Sequence, residues 1–381
     1  MKTLSNLNPT KRRAEEPGLS ADPLEAEAVA RIIEAGWWAP TPDNWQSWRF
    51  QWTGECIEIF WDFETGTSFL DVAHGVAYLS IGGAVTNMEI IANAEGYDLR
   101  VDLRSETDSN RPTARVFLEP TTKRSSPLAA VIPERCTNRR PYATTRLEPE
   151  MIERLQGLED NCRKAQLSML YERDEIEDIG EMAGEFDQFF LHIPEIHDVI
   201  FRWIRWTQEE VLRTRDGLPL GSLELNFSDR LGLMVLRKWA RAKALARLGM
   251  GRWLASRAAK LYASSGAFGV ISLPEMSAEA AFEAGRLLEK IWLVASEKRL
   301  AFQPIAGPAL LVMRNRLKGG AGMDARLRDW ATEVERDLRS LCSFEEGTLP
   351  VILFRVGEAS PPSARALRRP LDMDARDVTK S

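Results

Sequence analysis

The stretch from Val76 to Ala94 constrains the fold more than any other part of the chain. It is a long apolar run that includes Gly82-Gly83-Ala84 and stops at Gly96, the residue type that most readily closes a helix. Small residues at its middle let other backbone approach closely, so a tightly packed central helix is expected. His74 stands near its start, where a cap or core role is the ordinary one for a lone histidine. A second stretch, Ala280–Ala306, repeats the layout: a helix carrying Gly285-Arg286, ending before Gln303-Pro304. Each stretch follows a strand-bearing region of comparable size. The repetition predicts two related half-chains about a pseudo-two-fold axis, a symmetric dimer fused into one chain. The product would be a monomer of pseudo-dimer architecture, with a homodimer as the other assembly to consider.

At 381 residues the chain is long enough for a large core and for two domains or a doubled one. Residues 1–22 are polar and lack hydrophobic periodicity, which suggests a flexible arm. A helix is expected over Ala26–Gly36, behind an Asp22 cap and Pro23 in its first turn. Strands are expected at Cys56–Trp61, Ala114–Glu119, Ala165–Tyr171, Phe268–Leu273 and Pro350–Val356. Residues 105–113 read as turns and 120–133 as a Pro/Ser linker. Further helices are expected at Pro149–Leu158 and Ala278–Leu300, then through Cys342 with a break at Gly319–Gly322. The segment 174–262 is helical in pattern, interrupted at Pro194 and at Asp216-Gly217-Leu218-Pro219. Gln303–Pro308 reads as a turn. The expected division is a first half over 23–130, a second half over 131–356 that contains the 174–262 insertion, and a basic Pro-rich tail over 357–381.

Net charge −6 argues against general nucleic-acid binding. Cys56, Cys136, Cys162 and Cys342 are far apart and form no CxxC pair, so neither a metal site nor a disulfide framework is expected, and reduced thiols suit a cytoplasmic protein. The N-terminus lacks the apolar region of a signal peptide, and no membrane-spanning run of about 18 apolar residues is expected. One segment departs from the acidic average. From Arg230 to Lys260 there is no acid, and nine Lys or Arg residues interleave with Leu and Trp. Such a basic amphipathic stretch suits a membrane surface or an acidic partner, but a solvated helix over a core is the commoner arrangement and is the expectation here.

Two motifs carry chemistry. In Glu134-Arg135-Cys136-Thr137-Asn138-Arg139-Arg140-Pro141-Tyr142, three guanidiniums and a hydroxyl fall within six residues. Arginine's planar fork holds phosphate through paired hydrogen bonds, so the segment reads as a phosphate clamp, with a solvated basic turn as the plain alternative. The loop Gly36–Phe50 combines Trp37, Trp38, Trp45 and Trp48 with Pro40, Pro42, Asn44 and Gln46. Its prolines forbid a helix, and amides beside flat aromatic walls suit a planar heteroaromatic ligand, although the same residues also build core loops. The arginines of the tail, Arg365, Arg368 and Arg369, are in a position to fold back on an anion.

Taken together these residues resemble the FMN-dependent nitroreductase family. Arg135–Tyr142 is similar to its Arg-x-Ser-x-Arg-x-Phe motif, with Thr137 in place of Ser. Ala39–Trp48 is similar to its Ala-Pro-Ser-x-x-Asn-x-Gln-Pro-Trp loop, with Thr41 and Ser47 substituted. Leu288–Ala295, Gln303-Pro304 and Phe354–Gly357 with Arg368-Arg369 resemble its central helix, the turn beside the flavin, and its closing strand and tail. The loop precedes the arginine motif by about ninety residues, the order of the internally duplicated, Acg-like branch. The resemblance implies an α+β, nitroreductase-like three-layer fold, internally duplicated, with 174–262 as a helical lid bearing Trp203 and Trp206. It implies an FMN-dependent oxidoreductase that moves electrons or hydride between bound flavin and a nicotinamide donor, NADH or NADPH, or an organic substrate. The alternative is a non-catalytic FMN-binding or sequestering protein. The implied contacts are Arg135 and Arg139 on the phosphate, with Arg368 or Arg369 as a further candidate, Thr137 through its hydroxyl, and Pro40, Thr41, Asn44 and Gln46 on the ring edge or ribityl chain. Pro304 and Ile305 would lie at the reactive edge. Flavin supplies its own redox chemistry, so no catalytic side chain is assigned.

Overall fold

The computed structural model describes residues 23–64, 68–162 and 164–371. The expected arm and the end of the tail lie outside these residues. Ten strands are present among the described residues. The first four are β1 (Trp48–Trp52), β2 (Cys56–Trp61), β3 (Tyr97–Leu103) and β4 (Ala114–Pro120). They pair antiparallel in the order β1-β2-β4-β3. In β1 the residues Trp48 and Phe50 turn inward while Arg49 is exposed, the period-two pattern of a strand with one solvated face.

The remaining strands are β5 (Gln166–Leu170), the two-residue β6 (Ile204–Arg205) and β7 (Leu218–Pro219), β8 (Ala267–Leu273), β9 (Ala301–Ile305) and β10 (Leu349–Gly357). A second antiparallel sheet has the order β5-β8-β10-β9, while β6 and β7 form a parallel bridge. Every residue of β10 is buried, Arg355 included, which is why it reads as an apolar run broken only by that arginine rather than an alternating one. Pro350 lies where the β10 register slips, a place that tolerates a missing N–H.

The two sheets repeat one connection pattern: strand, strand, long helix, strand, strand, with the same spatial order. In the first the helix is Gly75–Glu95, in the second Ala278–Glu297. These helices cross at a reciprocal contact. A Cβ placed on Gly82 would lie 2.0 Å from the Phe282 carbonyl oxygen, and one on Gly285 would lie 1.9 Å from that of Leu79. Each glycine is the eighth residue of its helix and meets the fifth residue of the other. Only glycine permits that approach from both sides. Gly75–Glu95 is long and apolar enough to cross a membrane by length and composition, but its apolar window is 83% buried inside the protein, as the core of the fold requires.

Three differences from the sequence reading have physical causes. Strand β3 begins directly after Gly96, which ends the first long helix in the left-handed region at φ 95°. Its half-exposed Tyr-Asp-Leu-Arg-Val-Asp-Leu pattern was overshadowed by the helix before it. Residues 301–305 are a strand, not part of a turn. Pro304 is tolerated because β9 is the edge of its sheet and pairs only with β10. Pro194 starts the helix Pro194–Arg202 instead of breaking one, since its missing N–H has no partner to lose in a first turn.

The helices of the insertion run from Arg173 to Ala263 between β5 and β8. Tail residues 358–371 fold back toward the helix Pro23–Trp37, where the Trp37 indole donates to the Arg369 carbonyl at 3.0 Å. His74 occupies the N-cap place of its helix in a left-handed conformation without capping it through the side chain.

Candidate functional site

A cavity of about 360 Å³ opens between the two long helices, the Pro40–Trp45 loop, the Arg135–Arg139 segment, the Pro304–Gly307 corner and the returning tail. Its size falls within the range of small-molecule sites, roughly 300–1,000 Å³. The insertion closes one side with Phe186, Val199, Ile200, Leu218 and Ser222. Flat or apolar walls come from Trp38, Pro40, Leu288 and Trp292.

The loop is held in an unusual shape. Asp43, Asn44 and Gln46 all have positive φ, at 43°, 58° and 54°. Asn and Asp adopt that region more readily than most residues, and hydrogen bonds fix it here. The Asn44 amide donates to the Gly217 carbonyl at 3.1 Å and the Leu367 carbonyl at 2.9 Å, and its oxygen accepts from Arg368 at 2.9 Å. The Gln46 amide donates to the Arg215 carbonyl at 2.9 Å and accepts from the Arg369 backbone N–H at 2.8 Å. Both side chains therefore knot together the loop, the insertion turn and the tail. Thr41 lines the cavity, and its hydroxyl accepts from the Gln46 N–H at 3.1 Å.

The three arginines of the clamp go to three destinations. Arg135 is buried, with Nε 3.0 Å from Glu289 Oε1, a hydrogen bond to the Trp38 carbonyl at 2.7 Å and its guanidinium 4.3 Å from the Trp292 ring centre. Glu289 is wholly buried, and desolvation pushes its carboxyl up while Arg135 pulls it down. Arg139 also lines the cavity, and its one described hydrogen bond is to the Ser222 carbonyl at 3.3 Å. Burial depresses its guanidinium, and no carboxylate forms an ion pair with it among the described residues. Arg140 turns away to Glu224 at 3.2 Å and Ser363 at 2.7 Å.

The tail adds Arg365 and Arg368 to the wall. Arg368 donates to the Ala39 and Trp38 carbonyls at 2.6 and 3.0 Å. Burial and then the charge of Arg135 push it down to about 9. Four guanidiniums thus line the cavity against one carboxylate, Asp43, with Glu289 behind Arg135. Asp43 is raised to about 6 by burial, an effect that Arg139 opposes.

Of the residues singled out in the sequence, Pro40, Thr41, Asn44, Arg135, Thr137, Arg139, Pro304 and Arg368 meet at this one cavity. Gln46, Ile305 and Arg369 do not line it. Ile305 packs into the apolar cluster beneath the insertion, and Arg369 is ion-paired with Asp216. Sequence reasoning passed over Glu289, Asp43 and Trp292, whereas Trp38 was counted among the indoles of the loop. Glu289 had a readable signal: a single acid inside the otherwise apolar run Leu287–Ala295 save Lys290.

Three aspartates raised by burial contribute to the pH dependence of the fold. Asp43 and Asp71 are raised to about 6 and Asp187 to about 7, in each case first by burial. Their folded values exceed the unfolded one, so their contribution is complete below about pH 4 and is lost as pH rises through 6 to 7. The melting temperature of the ligand-free protein is expected to be several degrees higher at pH 5 than at pH 8. A scan in which stability instead falls over that acidification would contradict the burial of these groups.

Fold and site together define a mixed helix-and-sheet protein with an arginine-walled internal cavity. No protein-family model matches the chain. Over 352 residues it is 24% identical to the uncharacterized protein MT1398 of Mycobacterium tuberculosis (strain CDC 1551 / Oshkosh), covering 91% of this chain and 48% of that protein. The chain therefore spans about half the length of the curated relative it matches. Among solved structures it is similar to an FMN-dependent nitroreductase from Clostridium difficile R20291, at 12% identity and TM-score 0.34 over 64% of this chain and 96% of that one. It is also similar to a nitroreductase with bound FMN from Bacteroides fragilis NCTC 9343, at 10% identity and TM-score 0.34 over 64% and 96%. A third likeness is to the NADPH:FMN oxidoreductase of Vibrio harveyi complexed with NAD+, at 8% identity and TM-score 0.30 over 64% and 73%. These likenesses are remote in sequence and in superposition, and the residues of the site carry the functional reading.

Proposed function

We propose that the chain is an FMN-dependent oxidoreductase of nitroreductase-like architecture, internally duplicated, with the insertion as a lid over a single flavin site. The observation that carries the proposal is the excess of positive charge on the cavity wall, with the half-buried Arg139 and Arg368 lacking ion-paired carboxylates among the described residues. A desolvated guanidinium without a counter-charge is costly, and a phosphate supplies that charge with matching fork geometry. The aromatic and apolar walls suit a flat ring, so the donor set and the shape fit the same cofactor.

Flavin, when bound, supplies the redox chemistry itself. The chain's residues then have binding and positioning roles. Arg139 and Arg368 hold the phosphate, and Arg135, fixed by Glu289, adds to the positive field. Thr137 offers a hydroxyl on the same wall. Asn44 holds Arg368, and Gln46 holds the tail backbone beside it. Leu218, Val199 and Ile200 exclude water from the lid side. The reciprocal helix crossing takes the place of a subunit contact, which favours a single chain as the functional unit, and a cytoplasmic location belongs to the same reading.

Purified protein is expected to carry, or take up, a flavin with a visible absorbance band, and anaerobic NADH or NADPH is expected to bleach it. Protein that shows no flavin band and takes up no added FMN would sink the reading. Flavin uptake without bleaching by either donor, or by a panel of organic reductants, would replace it with the sequestering alternative.

A further inference from the structure

Eight large apolar side chains stand exposed among the described residues, and six of them lie between Phe227 and Trp253. On the helix Phe227–Leu236, the residues Phe227, Leu231, Met234 and Val235 are spaced by four, seven and eight positions, which puts them on one face. Leu233 and Leu236, on the opposite side, already pack into the insertion's own core with Leu191, Phe201 and Ile204. The outward stripe is therefore a second apolar face, not the core face of the helix. Leu248, 82% exposed, follows the helix Trp239–Arg247, and Trp253, 53% exposed, stands on Met250–Ala263. The Arg257 guanidinium bridges two of these elements, pairing with Asp229 at 2.7 Å and lying 5.3 Å from the Trp253 ring centre.

The same three helices carry seven of the nine cations of Arg230–Lys260, with Arg237 and Lys238 in the connection between the first two, and all nine are exposed. Among the described residues only Arg257 has a carboxylate partner in an ion pair. On a chain of net charge −6 this is a local inversion of sign. The expectation of a solvated helix over a core accounts for the inner face but leaves the outer stripe without a reason.

We propose that the face formed by Phe227–Leu236, Trp239–Arg247 and Met250–Ala263 docks on an anionic phospholipid surface. The apolar stripe enters the boundary between headgroups and acyl chains, and Trp253 sits at headgroup depth, where indole rings concentrate. The long cationic side chains beside the stripe reach the phosphates. An acidic protein would satisfy the charge but gives no role to four apolar side chains on a convex helix face. The proposal is independent of the flavin reading.

The test is co-flotation of the full chain with vesicles of phosphatidylcholine and phosphatidylserine, against vesicles of phosphatidylcholine alone. Binding to the anionic vesicles is expected to be at least about tenfold stronger. Two paired variants, Leu231→Ser with Met234→Ser and Arg241→Glu with Lys243→Glu, are each expected to weaken it by about tenfold or more while melting as the parent does. These positions are solvent-exposed, so folding is not at stake. No flotation with phosphatidylserine vesicles overturns the proposal, and so does binding that ignores lipid charge or either variant pair. Equal retention on poly-glutamate that is insensitive to the Leu231/Met234 pair would assign the face to an acidic protein and overturn the lipid assignment as well.

Discussion

Replacing Arg139 with alanine is expected to weaken FMN binding by about 100-fold or more, without destabilising the ligand-free protein. The magnitude follows from two charge-assisted hydrogen bonds to phosphate, each worth about 1.5–3 kcal/mol, with about 1.4 kcal/mol per factor of ten. The second half of the expectation follows from its surroundings. Arg139 forms no ion pair among the described residues, and Asp43, the carboxylate it draws down, is already raised to about 6 by burial, so removal of Arg139 breaks no salt bridge. Arg135→Ala should behave differently. It would strand Glu289, which is wholly buried, and loss of one partner of a buried pair costs about 3–5 kcal/mol. Thermal melting of the two apo variants, set beside FMN titration, separates the roles: Arg135→Ala is expected to melt well below the parent, Arg139→Ala not. An Arg139→Ala protein that retains parental FMN affinity would remove this residue from the site.

Gly285→Val, or Gly82→Val, is expected to cost about 3 kcal/mol or more and to lower the melting temperature sharply, because overpacking against fixed atoms cannot be relieved by a rotamer change. The three atoms nearest a Cβ on Gly285 are the Leu79 carbonyl oxygen, carbonyl carbon and Cα, all backbone, at 1.9 to 2.7 Å. The helices Gly75–Glu95 and Ala278–Glu297 would have to separate at their crossing. Gly232→Ala is the matched control. It is an exposed helical glycine whose Cβ would meet nothing within 4 Å, and alanine there should be neutral or mildly stabilising. Differential scanning calorimetry of the three proteins checks the ordering, and a Gly285→Val protein with parental stability would contradict the close crossing.

Much of this framework was readable beforehand, for physical reasons that also mark where reading stops. Gly82 and Gly285 stood out because helix interiors rarely keep glycine without a packing cause, and the crossing is that cause. The Pro40–Pro42 loop was evident because proline forbids the alternatives. Local sequence could not say where each guanidinium of Arg135, Arg139 and Arg140 would point. That depends on Glu289, Ser222 and Glu224, which only the finished fold brings alongside. Asn44 and Gln46 were legible as polar residues in an aromatic loop. Their commitment to Gly217, Leu367 and Arg369 was not, since those partners lie about 170 and 320 residues away. The basic stretch after Arg230 was plain from composition, whereas its exposed stripe needed the knowledge of which helix face was already buried.

The central claim is that the cavity selects a phosphate-bearing flavin through its arginine wall. Titrating the flavin-free protein with FMN and with riboflavin, which differ only in that phosphate, tests it most directly, with flavin fluorescence as the readout. One equivalent of FMN is expected to bind, and riboflavin at least about 100-fold more weakly. Equal affinity for the two, or no binding of FMN, would contradict the account.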